Sequence, residues 1–289
     1  GNAHWDVATE LDILDLEAGA SIAGARFYVL KGKGAKLQRA LASWMLDIQT
    51  EVHGYTEIDP PLLVRGETMT GSGNLPKFKD NLYRDDDSDL WLVPTAEVAL
   101  NGLHQGQIID PDKLPLKYVA QTPSFRKEQT SAGRDVRGIK RVHQFEKVEM
   151  FRYVEPETSD EMLEEMLGEA ESLCARLGLT YRVLQLCAGD IGFQSAKTYD
   201  IEVWSPGCAE WLEVSSISTC TDFQSRRNGT RYRPEVGAST KLPHTLNGSG
   251  LALPRIWIAV IENGLQEDGS IVIPEVLVPY TGWDRIEAN

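Results

Sequence analysis

Phe125-Arg126-Lys127-Glu128-Gln129-Thr130-Ser131-Ala132-Gly133-Arg134-Asp135-Val136-Arg137-Gly138, followed by Arg141-Val142-His143-Gln144-Phe145-Glu146-Lys147-Val148-Glu149, reads as a strand, a polar loop of alternating charge and a return strand. Such a hairpin would place Arg126, Glu128, Phe145 and Glu149 near one another on a sheet. An arginine fork grips phosphate oxygens, an aromatic ring stacks on a purine, and carboxylates accept from amino or hydroxyl groups. Any single charge here is more simply half of a surface ion pair. The string as a whole is better read as a hairpin that holds a nucleotide.

Working outward, Leu37, Leu41, Trp44, Met45 and Ile48 recur at helical spacing between Ala35 and Val52, and Gly54 stops the pattern. The helix runs into Tyr55-Thr56-Glu57-Ile58-Asp59-Pro60-Pro61-Leu62-Leu63-Val64, where the prolines permit only an edge or terminal strand position. A Gly-rich loop is expected over Thr68 to Leu75. A second helix is predicted from Thr158 to Leu177, with Thr158 and Glu161 as a capping box, an apolar stripe from Met162 to Leu173 and an acidic outer face in solvent. The β-rich runs Leu90–Val93, Phe145–Tyr153, Tyr181–Leu186, Thr198–Trp204 and Trp211–Ile217 have little helix between them. The expected fold class is therefore α+β, an antiparallel sheet flanked by helices.

The chain has 289 residues, enough to bury a substantial core, and shows no internal repeat or low-complexity linker, so it is read as one domain spanning 1–289. Hydrophobic content of 42% and charged content of 25% are ordinary globular values. No apolar run approaches the roughly 20 residues that span a bilayer, and the first residues lack a signal-peptide layout, so a cytoplasmic protein with no membrane partner is expected. Cys174, Cys187, Cys208 and Cys220 are scattered singly and are expected to be buried reduced thiols. The net charge of −14 would repel a polyphosphate arriving without a local positive field.

Three segments together resemble the class II aminoacyl-tRNA synthetases in their bacterial seryl form. The quoted hairpin, with its Phe-Arg-x-Glu start and Arg-Val-His-Gln-Phe-x-Lys-Val-Glu return, looks like motif 2. The helix and Pro-Pro strand from Ala35 to Val64 look like motif 1, the family's dimer element. His244-Thr245-Leu246-Asn247-Gly248-Ser249-Gly250-Leu251-Ala252-Leu253-Pro254-Arg255 looks like motif 3. Two further stretches resemble the seryl type: Pro94-Thr95-Ala96-Glu97, the amino-acid loop, and Glu213-Val214-Ser215-Ser216 through Gln224, the metal-binding strand. Read alone, Thr95 and Glu97 fit a helix cap, and Glu213 and Ser215 fit any half-buried strand.

What the resemblance implies is ATP-dependent, Mg²⁺-assisted activation of serine to seryl-adenylate by a homodimer, with transfer to tRNA(Ser) in the full-length form. Serine's carboxylate is already ionised at neutral pH, so charge neutralisation and alignment dominate the task. The implied catalytic residues are Arg126, bridging the α-phosphate and the serine carboxylate, and Arg255, which with Arg141 meets the outer phosphates. Phe145 would stack under adenine with Arg255 near the other face, and Glu128 would take the adenine amino group. Glu213 and Ser216 would place Mg²⁺. The implied serine site is Thr95, Glu97, Arg126, Glu149, Asn247 and Ser249, with Thr95 and Glu149 toward the ammonium and hydroxyl.

Three positions depart from the family pattern: Ser249 stands where threonine is common, and Leu253-Pro254 replaces a more usual Val-Gly. His143 is expected on the strand face opposite Phe145, without a chemical role, and Lys31, Lys33 and Lys36 are expected to be solvated. No heptad run precedes the catalytic body, so the family's tRNA-gripping coiled-coil arm is expected to be absent, and transfer to be impaired. Three alternatives remain open at this stage: an arm-less paralogue that passes an activated amino acid to a carrier protein, a non-catalytic dimeric interaction module, and a class II enzyme for another amino acid.

Overall fold

The computed structural model describes residues 2–129 and 137–288, so Thr130 to Val136 of the quoted hairpin lie outside the described residues. A seven-stranded sheet organises the chain: β1 (Thr56–Glu57), β2 (Leu116–Phe125), β3 (Gln144–Val154), β4 (Tyr181–Gln185), β5 (Lys197–Ser205), β6 (Glu210–Thr221) and β7 (His244–Ala252). Their spatial order is β1-β2-β3-β7-β6-β5-β4. β1 runs parallel to β2 and every other pairing in this sheet is antiparallel. The short strand before the prolines is therefore at the sheet edge, where a missing N–H costs nothing.

One sheet face is covered by α1 (Gly32–Asp47), α4 (Ser159–Arg176) and α6 (Leu253–Gly264). Leu37, Leu41 and Met45 of α1, Leu163, Met166 and Leu173 of α4, and Ile256, Trp257 and Val260 of α6 share one buried core with Val148, Met150 and Ile217 of the sheet. Side chains of opposite parity on the strands point to the other face, which is left open as a cavity. Its end is closed by three short helices, α2 (Gly66–Ser72), α3 (Ala96–Gly102) and α5 (Phe223–Asn228).

Several expectations need correction. The Gly-rich stretch from Thr68 is helical as far as Ser72, because glycine is needed there for packing rather than for a turn: a Cβ on Gly71 would stand 2.9 Å from the Cβ of Asn228. The first long helix begins earlier than expected, at Gly32, and becomes a π-turn over Ile48–Val52. The second is entered through a 3-10 turn, Pro156–Thr158, so Thr158 has helical φ and ψ, makes no side-chain cap, and its hydroxyl donates to the Glu155 carbonyl at 3.1 Å. Lys31 pairs with Asp12 and Asp15, and Lys33 donates to the Arg285 carbonyl at 2.9 Å, so these two are engaged rather than simply solvated. Cys174 and Cys220 are buried as expected, but Cys208 is half-buried and Cys187 exposed.

The acidic face of α4 also differs from expectation, because Glu169 is buried. It takes hydrogen bonds from Arg152 Nη2 at 2.7 Å and Tyr55 Oη at 2.6 Å, with Lys117 at 3.4 Å. Arg152, fully buried on β3, also reaches Glu165 at 3.0 Å. The pair clamps α4 to the sheet at the end of the α1 π-turn. Removing one member of a buried ion pair strands the other, so Glu169→Ala is expected to cost about 3 kcal/mol, the low end of such losses because Glu165 stays. Urea denaturation at neutral pH measures this; a loss of less than about 0.5 kcal/mol, the scatter of surface substitutions, would contradict the clamp.

Candidate active site

All twelve residues expected at the site line one cavity of about 560 Å³ on the open sheet face. Strand alternation explains most of this. Phe145, Lys147 and Glu149 are every second residue of β3, and Ser249 pairs with Glu149 across to β7, with Asn247 two residues along. Glu213 and Ser216 are three apart, however, and plain alternation would put them on opposite faces. A bulge resolves this: Ser215 pairs with Ile201 and Glu213 with Glu202, so Val214 is an extra residue that re-phases β6. A second bulge, between Ser249 and Ala252 opposite Lys147 to Glu149, does the same for β7 just before α6 and Arg255.

At the hairpin end, Arg126 donates from Nε to the Pro94 carbonyl at 3.0 Å, and its guanidinium lies 5.2 Å from the centre of the Phe145 ring. The cation over the Phe145 ring is thus Arg126. Glu128 adopts a left-handed φ of 52° and meets Arg141 at 3.5 Å. Arg255 donates from Nε to the Lys140 carbonyl at 3.1 Å and from Nη1 to the Glu213 carbonyl at 2.8 Å. It therefore staples the return of the hairpin to the bulged strand.

Asp200, which the sequence reading missed, faces the same cavity from β5, opposite Ser216 in the register. Burial and the nearby Glu213 carboxylate push its carboxyl up to about 6, against which the Ser216 hydroxyl works. Its buried Oδ1 has no hydrogen-bond partner among the described residues. An orphaned buried carboxylate oxygen beside a second carboxylate and a hydroxyl is a set of hard oxygen donors, and it fits a divalent cation such as Mg²⁺.

The opposite end is closed and polar. Thr95 caps α3, accepting from the Glu97 N–H, and accepts from Lys147 Nζ at 2.8 Å, so one hydroxyl both caps the helix and lines the cavity. Lys147 also lies 3.0 Å from Glu149, whose carboxylate accepts from Ser249 Oγ at 3.4 Å. Glu97 is 5% exposed and accepts from Gln224 Nε2 at 2.7 Å and Asn247 Nδ2 at 3.2 Å. Burial, then the Glu149 charge, pushes its carboxyl up to about 7. The motif resemblance gives Lys147 no role, although its parity with Phe145 and Glu149 in the quoted string marks it for the same face.

His143 shares that parity too, so alternation would have put it on the Phe145 face. It stays off the site because β3 begins only at Gln144. Its ring stacks on Phe27 at 5.1 Å and meets the Tyr83 hydroxyl at 2.9 Å.

The profile of the family described as tRNA synthetase class II core domain (G, H, P, S and T) matches residues 77–264. The chain is 56% identical over 283 residues to the serine–tRNA ligase of Dehalococcoides mccartyi, covering 98% of this chain and 68% of that protein. The chain belongs to the serine–tRNA ligase family of class II synthetases. It is also 59% identical over 282 residues to the serine–tRNA ligase of Thermomicrobium roseum, across 98% of this chain and 63% of the relative. The seryl-tRNA synthetase of Pyrococcus horikoshii, solved in complex with ATP, superposes with a TM-score of 0.97 at 42% identity, over 100% of this chain and 64% of that one. The chain thus spans about two thirds of the length of these family members. A prolyl-tRNA synthetase from Giardia lamblia, 14% identical with a TM-score of 0.80 over 95% of this chain and 54% of its own, shares the fold.

Among the described residues, one other cluster has a metal-like composition: His4, Cys208 and Glu262. Hydrogen-bond direction argues against a metal. His4 Nε2 accepts from the Ile139 N–H at 3.1 Å, so the ring proton sits on Nδ1 and points to Glu262 at 3.2 Å. A cation at Nδ1 would require an imidazolate. Burial alone would raise the Glu262 carboxyl, but donation from His4, Ser205 and Cys208 holds it at about 2. The cluster pins the N-terminal segment to α6 and to the hairpin return.

The pH behaviour of Glu97 follows from its partners. Its carboxyl releases a proton near 4.5 in the unfolded chain but near 7 when folded, so stability is lost as pH rises through that window. Relative to Glu97→Gln, which keeps the amide-accepting oxygen, the unsubstituted chain should lose up to about 1.4 kcal/mol per pH unit between about pH 4.5 and 7. Denaturation of both forms at the two ends of the window measures the slope; parallel pH curves would show that Glu97 titrates normally.

Proposed function

We propose that this chain is a single catalytic domain that activates serine with ATP, releasing pyrophosphate and forming seryl-adenylate, and that the protein it represents transfers the seryl group to tRNA(Ser). The observation that carries the reading is one cavity with an arginine-rich, aromatic end for a nucleotide and a closed, carboxylate-lined end for a small zwitterion. The names of the relatives and the ATP complex of the Pyrococcus horikoshii enzyme support it.

The reaction needs an anionic carboxylate to attack an anionic α-phosphate. Arg126, held by the Pro94 carbonyl between the two ends of the cavity, is the residue suited to touch both anions and to offset charge that builds up on the phosphorus oxygens. Arg141 and Arg255 take the outer phosphates, Phe145 and Glu128 take the adenine, and each is braced by the contacts above. Glu213, Ser216 and Asp200 would hold Mg²⁺, which supplies phosphate charge neutralisation when bound. Asn247, Ser249, Glu149, Glu97 and Thr95 receive serine. A site that hydrogen-bonds the hydroxyl disfavours alanine, because its own polar groups would stay unpaired. Threonine must be refused by lack of room.

The protein is further proposed to be a homodimer that works in the cytoplasm. The α1 helix and edge strand β1 match the motif 1 pattern, and no described helix is long and apolar enough to cross a membrane.

Serine should support ATP–pyrophosphate exchange, and alanine and threonine should do so poorly; a higher turnover with another amino acid would overturn the substrate assignment. Arg126→Ala should reduce exchange at least about a hundredfold while the thermal midpoint stays close to that of the parent. Sedimentation at micromolar concentration is expected to give twice the chain mass, and a monomer would refute the dimer.

A further inference from the structure

The closed end of the cavity holds three buried ionisable side chains, Glu97, Lys147 and Glu149, of which one is a cation. Lys147 and Glu149 lie two residues apart on the same face of β3, and their charges meet at 3.0 Å. The same ammonium donates to Thr95 Oγ1 at 2.8 Å, so Lys147 joins the floor strand to the start of α3. Glu97, in the first turn of α3, receives only neutral donors, the amides of Gln224 and Asn247. No described cationic side chain stands within ion-pair distance of it. The pocket end is thus one positive charge short.

From this geometry we infer that Lys147 sets the charge selectivity of the pocket: by pairing with Glu149 and Thr95, it leaves Glu97 as the one carboxylate that a ligand's ammonium must complete. The inference rests on the serine-activation reading and adds a residue and a role to it. Lys147 acts through Glu149 and Thr95 and is a positioning residue. A buried carboxylate is costly without a counter-charge, and an α-ammonium brings that charge at the moment of binding. A ligand without an ammonium leaves Glu97 uncompensated, and a ligand with a second cation meets Lys147.

The charged and titratable groups facing Glu97 are Glu149, Lys147 and Arg126, together with the Cys220 thiol, which burial pushes far up and which stays neutral. Of the cations, Lys147 is the one in contact with the second carboxylate. Without it, Glu97 and Glu149 become two buried like charges, which share a proton and titrate as a pair. The ionised form that an ammonium needs is then reached only at higher pH.

The test is serine-dependent ATP–pyrophosphate exchange measured across pH on Lys147→Met and Lys147→Arg, with ATP affinity and thermal midpoint as controls. Lys147→Met should raise the KM for serine at least about tenfold, as loss of one member of a buried charge pair does, and leave the KM for ATP within about twofold. The lower limb of kcat/KM for serine should move to higher pH. Lys147→Arg keeps the charge and should keep the parental pH profile. A folded, ATP-binding Lys147→Met with unchanged serine KM, or with raised KM but an unmoved pH profile, would overturn the inference. If Lys147→Met does not fold, Lys147→Arg decides: a profile displaced upward despite the retained charge refutes the role of charge, and a parental profile upholds it. Absence of serine-dependent exchange in the parent chain would instead bring down the activation reading, and this inference with it.

Discussion

A strand offers only every second side chain to one face, and the cavity is built around that limit. Seven strands, antiparallel except for the edge pair β1 and β2, present residues of one parity to the open face and pack the other parity against α1, α4 and α6. Left regular, the sheet would hide either Glu213 or Ser216 in the core. The extra residue at Val214 lets both face the cavity while Leu212 and Ile217 still point inward. The bulge after Ser249 works in the same way, carrying the chain from the cavity floor to the Arg255 helix without breaking the sheet. Bulges of this kind re-aim side chains next to active sites.

Around this floor, charge is finely mixed. The net charge of the chain is −14, and the cavity is lined by five cations, Arg126, Lys140, Arg141, Lys147 and Arg255, interleaved with six carboxylates, Glu97, Glu128, Glu149, Asp190, Asp200 and Glu213. The lining as a whole is therefore not positive, and a polyphosphate would meet individual arginines rather than a broad positive field. The cations are in turn braced by carbonyls, carboxylates and one hydroxyl: the Pro94 carbonyl for Arg126, the Lys140 and Glu213 carbonyls for Arg255, the Glu128 carboxylate for Arg141, and the Thr95 hydroxyl and Glu149 carboxylate for Lys147. Such prior fixing lowers the reorganisation required when a phosphate arrives.

Two buried polar clusters hold the frame on which these residues stand. Arg152, Tyr55 and Glu169 tie α4 to the sheet, and His4, Glu262 and Ile139 tie the N-terminal segment to α6 and to the hairpin return. The second cluster joins Ile139, next to Lys140 and Arg141, to the helix that begins beside Arg255, so that side of the cavity depends on contacts outside its lining. Neither cluster has a local sequence pattern, because the members are brought together from distant positions.

The sequence by itself determined the class of fold, the family and the membership of the cavity. Those depend on local patterns: apolar periodicity in α1 and α4, prolines beside an edge strand, and the three motifs in order. All twelve residues expected at the site line the cavity: the hairpin reading places Arg126, Glu128, Phe145 and Glu149 together, and the resemblance to the family's motifs supplies the others. What the tertiary structure decided was pairing. Only the register of β5 against β6 puts Asp200 beside Ser216, and only the approach of α3 to β3 gives Lys147 both Thr95 and Glu149. Glu169 looked solvated because helical periodicity cannot foresee a buried arginine on a neighbouring strand. Thr158 looked like a cap because the residue pattern does not reveal that a 3-10 turn has already given it helical angles. Periodicity reports which face a side chain takes, and the partner waiting on that face is set by the packing of elements far apart in the chain.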